Sequence, residues 1–117
     1  MTVQLRLKIY AGGRQIGTRD LHQDMIRLGR EGDVRLEDAG AASLHAVIEA
    51  ASEAAMAIVD LDSSSGTLLN GVSITKSKLD FGDRIRIGDV EILIERPTDD
   101  ALPTKFNVVP LDWKLGQ

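Results

Sequence analysis

"DLDSSSGTLLNG", residues 60 to 71, sets three serines, a Gly-Thr and an Asn-Gly between two apolar segments. Asn70-Gly71 lies between Leu68-Leu69 and Val72-Ser73-Ile74. A two-residue loop of this kind predicts a type I′ hairpin, because both central residues must adopt positive φ. The hydroxyl run before it has two readings: a turn that needs small residues, and a wall for an oxygen-rich ligand. A hairpin here makes its flanks strands, and the rest of the chain is patterned to match.

Val3, Leu5, Leu7 and Ile9 alternate with Gln4, Arg6 and Lys8, the period of a half-buried strand. "AGGR", residues 11 to 14, turns the chain into a second strand over Gln15 to Leu21, and the apolar run Met25 to Leu28 ends at Gly29. Near the far end Ile85 and Ile87 alternate with Arg84 and Arg86, then Gly88-Asp89 leads into Val90, Ile92 and Ile94. Glycine first in a two-residue loop predicts a type II′ hairpin. The Ala-rich segment Glu49 to Ala57 favours a helix by propensity alone. The β-branched pairs Val47-Ile48 and Ile58-Val59 on either side favour strand, loop, strand instead. Many short strands with Gly and Asp turns predict an all-β fold, an antiparallel β-sandwich.

The chain has 117 residues, 43% hydrophobic and 27% charged, which suits one domain with one core. Residues 1–96 are expected to form it. Residues 97–117 contain all three prolines and little periodicity, so they read as a linker or tail. The tail's "VVPLDW", residues 108 to 113, reads as linker before docking segment. A net charge of -4 opposes sequence-independent nucleic-acid binding, which needs a basic face. No cysteine is present, which excludes thiolate chemistry and fits a cytoplasmic protein. No stretch approaches the roughly 18 apolar residues of a membrane span, so no membrane insertion by this segment is expected.

Asp60, Asp62 and Ser64 have the one-three-five spacing of a calcium loop, but Ser65 and Gly71 stand where glycine and glutamate belong. With His22 and His45 alone, zinc has too few ligands. No metal or cofactor is therefore expected. Ser43, His45 and Asp60 supply the parts of a hydrolytic triad, yet no nucleophile elbow accompanies them. A histidine bonded to nearby backbone is the preferred reading, and no enzyme is expected. What remains is Arg30 after Gly29, with hydroxyls at Ser43, Ser63, Ser64 and Ser65 in neighbouring loops. A phosphate dianion is bound by such groups.

Gly29-Arg30, His45-Ala46, Ser63-Ser64-Ser65-Gly66-Thr67 and Asn70-Gly71, in that order, resemble the forkhead-associated (FHA) family over about residues 3 to 95. The resemblance implies two packed sheets of about 11 short strands and a phosphothreonine-peptide site in loops at one end. By it, Arg30 clamps the phosphate and Ser64 adds a hydroxyl or backbone N–H, with Ser43 and Ser65 as further peptide contacts. Gly29, His45, Gly66, Thr67, Asn70 and Gly71 structure the loops. Two positions depart from the family pattern: Ala42 stands where the phosphate-binding serine belongs, with Ser43 one place late, and Ser65 replaces the asparagine that bonds the peptide backbone. The implied partner is a protein phosphorylated on threonine by a Ser/Thr kinase. The alternative is a module that binds its partner independently of phosphorylation, as a regulatory or scaffolding part of a larger signalling, secretion or motility protein.

Overall fold

The computed structural model describes residues 3–97. Eleven strands are present: β1 (Leu5–Ala11), β2 (Arg14–Leu21), β3 (Met25–Gly29), β4 (Val34–Arg35), β5 (Ala46–Glu49), β6 (Ala57–Asp60), β7 (Thr67–Leu69), β8 (Val72–Ile74), β9 (Lys76–Lys78), β10 (Arg84–Ile87) and β11 (Val90–Glu95). They form two sheets, ordered β2-β1-β11-β10-β7-β8 and β4-β3-β5-β6-β9. Every pair is antiparallel except β3 with β4, so the expected antiparallel sandwich has one parallel bridge. The Ala-rich segment is strand, loop, strand, with a single 3-10 turn at Glu53–Ala55.

The alternation in sequence becomes the two faces of each sheet. Leu5, Leu7, Ile85, Ile87, Ile92 and Ile94 point inward from the first sheet and meet Ile26, Leu28, Ile48 and Ile58 from the second. All are fully buried, and each aliphatic side chain so placed stabilises the fold by about 1.5–3 kcal/mol relative to exposure. Met56 and Leu79 close one end of this core and Leu36 and Ala41 the other. Leu79 is tied to the Met56 carbonyl through its N–H at 3.0 Å.

The turns behave as their residues require. Asn70 and Gly71 have φ of 51° and 86°, the two positive values of a type I′ turn. Gly88 alone is positive in its hairpin, at 59°, as a type II′ turn needs. Asn70 also ties its hairpin down, its Nδ2 donating to Asp83 at 3.0 Å while its Oδ1 accepts the Arg84 N–H.

Both ends of the described chain lie at one pole. The Val3 N–H donates to the Ala50 carbonyl at 3.1 Å. Arg96 holds the Glu53 carboxylate with both terminal nitrogens and stacks 4.3 Å from the Phe81 ring centre. Residues 98–117, including the "VVPLDW" segment, lie outside the described residues.

Candidate functional site

At the opposite pole three segments are stitched together by backbone. The first leaves β3 at Gly29. A Cβ there would fall inside contact of the Ser43 carbonyl oxygen and 2.8 Å from that of Ala42, so only glycine allows the two loops to touch. The contact is fixed by two hydrogen bonds, Arg30 N–H to Ala42 carbonyl at 3.0 Å and Glu31 N–H to Ser43 carbonyl at 2.9 Å. Arg30 is thereby set against the loop that carries Ser43.

His45 joins that loop to the third segment. It is completely buried. A backbone N–H only donates, so the 3.0 Å contact from Ala42 N makes Nδ1 an acceptor. The proton therefore sits on Nε2, which donates to the Gly66 carbonyl at 2.8 Å. With both ring nitrogens taken by backbone, His45 has none left to act as a base for Ser43, and the triad reading has no geometry behind it.

The serine-rich turn is built around Asp60. Burial pushes the Asp60 carboxyl upward, but hydrogen bonds from the Ser63 and Thr67 hydroxyls and from the Ser63 N–H outweigh it. The net shift is downward. Both hydroxyls lie 2.6 Å from the same carboxylate oxygen, and Ser63 Oγ accepts the Gly66 N–H at 3.1 Å. A side chain that bonds its own turn three residues on is a familiar role of Asp. Asp62 adopts the left-handed region at φ 59°, which turns the chain so that Ser64 and Ser65 stand at the surface. Ser65 donates its hydroxyl to the Gly40 carbonyl, tying this turn to the loop before Ser43.

The fourth contact comes from the β10–β11 hairpin. Asp38 Oδ2 accepts the Gly40 N–H at 2.8 Å and occupies the space where a Cβ on Gly88 would sit. The hairpin thus props the loop of residues 36 to 45 from behind.

The electrostatics of the rim follow from which charges are taken. Asp33 accepts the Arg27 N–H at 2.9 Å and two guanidinium nitrogens of Arg27 at 3.2 and 3.3 Å. These bonds hold the Asp33 carboxyl below the usual carboxylate range and raise Arg27 in turn. Arg30 is exposed, and among the described residues its side chain makes no ion pair or hydrogen bond. It borders a shallow depression together with Arg35, Glu37, Asp38 and Ala39. Of the other residues singled out in the sequence, Ser43 is exposed on the loop bonded to Arg30, Ser64 is exposed on the turn that Ser65 ties to the loop before Ser43, Ser65 is exposed with its hydroxyl engaged, and Gly66 and Thr67 are drawn inward. Ala42 is half-buried and makes only backbone bonds, to His45 and Arg30. Sequence alone marks Asp38 as an acid opposing a phosphate and Arg35 as a charge offsetting it, but not the packing of Asp38 against Gly88. Asp60 entered it only as a metal ligand or a catalytic acid.

The family model described as FHA domain matches residues 15–88. Among solved structures, the chain is similar to the FHA domain of an Arabidopsis thaliana hypothetical protein, with 33% identity and a TM-score of 0.70 over 83% of this chain and 88% of that one. It is also similar to the FhaA FHA domain complexed with the intracellular domain of Rv3910, at 28% identity and a TM-score of 0.69, covering 78% and 99% of the two chains. A third similarity is to Mycobacterium tuberculosis EmbR in complex with a low affinity phosphopeptide, at 31% identity and a TM-score of 0.70 over 82% of this chain but only 26% of EmbR. No curated protein matched the chain. Since the family model spans well over half of its residues, the chain belongs to the FHA domain family.

Proposed function

We propose that this domain docks a threonine-phosphorylated segment of a partner protein on the rim formed by Arg30, Ser43 and Ser64, with Ser65 and His45 holding its loops. The observation that carries the reading is the Arg30 guanidinium: exposed, without a carboxylate partner among the described residues, and fixed at its backbone to the Ala42–Ser43 loop. Asp33, three residues further along its loop, is occupied by Arg27. A phosphate therefore need not displace that ion pair, and a guanidinium is well shaped to bind it. The complexes of FhaA and of EmbR lend support by family likeness. A cytoplasmic setting, where Ser/Thr kinases act on such partners, belongs to the same proposal, as does a regulatory or scaffolding place in a larger protein. The domain acts in it by binding, with no catalytic step.

A second reading, binding without phosphate, is favoured by Ala42 and Ser65. Ala42 brings no hydroxyl, and the Ser65 hydroxyl is spent on Gly40. A hydrogen bond to a charged group is worth about 1.5–3 kcal/mol, and two such losses take a large share of the roughly 8 kcal/mol of a micromolar complex. Titration of matched phosphothreonine and threonine peptide libraries separates the two. Preference for the phosphorylated member, lost in Arg30→Ala, supports the first reading; equal binding to both members supports the second.

A further inference from the structure

Beside the rim, the sandwich is open along one long side. β2 is the edge of its sheet and β4 the edge of the other. β2 spans eight residues, Arg14–Leu21, and among the described residues pairs only with β1. Its outer row of backbone donors and acceptors is a template for another extended chain. Between the two edges lies a hollow floored by Ile9 and Val34 and bordered by Ile16, Gly17, Arg19 and Arg35. Ile16 is 63% exposed, large for an aliphatic side chain on a strand. A Cβ on Gly17 would meet nothing within 4 Å, and its φ is not in the left-handed region, so the glycine leaves the hollow open without any demand from the backbone.

Charge gives the hollow a preferred occupant. Arg35 has no ion pair or hydrogen bond from its side chain among the described residues. Among the described residues Arg19 donates only to a backbone oxygen, that of Asp33, at 3.2 Å, and adds a minor attraction to the Asp33 carboxylate. The Asp33 carboxylate, which also borders the hollow, is already held by Arg27. Arg35 borders both this hollow and the depression beside Arg30, so the two adjoin across its side chain.

We infer that the hollow is a second docking point for the same partner, a conclusion that rests on Arg30 receiving a phosphothreonine. The segment flanking the phosphothreonine runs past Arg35 and lies extended along β2. It sets one aliphatic side chain on Ile9, Ile16 and Val34 and acidic side chains against Arg19 and Arg35. Specificity for the partner then comes from residues well outside the phosphate-binding loops, and the affinity lost at Ala42 is recovered there.

The test uses two phosphothreonine-centred peptide libraries, one reaching about three residues to either side and one about ten, each with a plain threonine control. The full chain is titrated as wild type and as Gly17→Val, which fills the hollow, and Arg35→Ala. The longer library is expected to enrich an aliphatic residue beside acidic ones and to yield binders about tenfold tighter than the shorter. That gain disappears in both variants, while affinity for short peptides is kept in Gly17→Val and thermal unfolding confirms that this variant folds. Phosphothreonine preference with no gain from length overturns the second docking point alone. Absence of phosphothreonine preference in both libraries overturns the reading of Arg30 and this inference with it. A concentration-dependent dimer abolished by Gly17→Val assigns the hollow to a second copy of the chain and overturns it as well.

Discussion

His45 Nε2 donates to the carbonyl oxygen of Gly66, twenty-one residues away, at 2.8 Å, while Nδ1 holds the Ala42 N–H. One buried ring thus fixes the separation of two loops, and its removal leaves a half-buried N–H and a half-buried carbonyl without partners. His45→Ala is expected to lower unfolding free energy by about 2–4 kcal/mol. Urea denaturation measures it, as a lower midpoint at constant slope. A loss under about 0.5 kcal/mol, the level of an ordinary surface substitution, would mean that the loops hold their spacing without the ring.

Asp60 makes stability depend on pH in a defined direction. Its folded pKa lies below the ordinary 3.8, so its contribution is fully present above that value and is lost as pH falls through the folded pKa. Asp60→Asn removes the charge at neutral pH and is expected to cost about 1–3 kcal/mol. The gap between variant and wild type narrows below pH 3.8, because only the wild type still titrates at this position. Asp20, Asp33 and Glu53, also lowered by their arginine partners, act equally in both proteins. A gap that stays constant down to acid pH would show that the carboxylate charge is irrelevant to the turn.

Gly88 and Asp38 compete for one small volume. A Cβ on Gly88 would collide with Asp38 Oδ2, and its φ of 59° is itself unfavourable for alanine by about 1 kcal/mol. Gly88→Ala is therefore expected to cost more in the wild type than in an Asp38→Ala background. A double-mutant cycle on thermal or chemical unfolding isolates the coupling, and strict additivity would deny the steric contact.

Ala42→Ser restores a hydroxyl where the family resemblance places the phosphate contact. Calorimetric titration with phosphothreonine peptides is expected to show affinity raised about tenfold, the equivalent of one hydrogen bond to a charged acceptor. Unchanged affinity would place the phosphate away from this loop.

The strands with strict alternation were plain in the sequence, since β1, β10 and β11 carry their inward residues at every second position. The hairpins at Asn70-Gly71 and Gly88-Asp89 were equally plain, because few residues tolerate those backbone angles. β9 was not foreseen: "KSK" has no apolar member, and it exists because the β6 edge accepts it. The two-residue β4 is likewise a product of its neighbour. At the rim, residue types were readable but their engagements were not. Nothing in the chain around Ser65 announces that its hydroxyl turns to Gly40, twenty-five positions earlier, nor that Asp33 faces Arg27 in place of Arg30. Such pairings are set by how loops fold over one another, and local pattern carries no record of them.

β11 runs six residues from the Gly88 turn, against which Asp38 packs, to Glu95, a path of about 20 Å. Val3 and Arg96 therefore meet on the side remote from Arg30, clipped there by Ala50 and Glu53. Entry and exit that adjoin in this way let a domain be spliced into a host as a cassette. Carried so, it would keep the Arg30 rim turned away from both junctions.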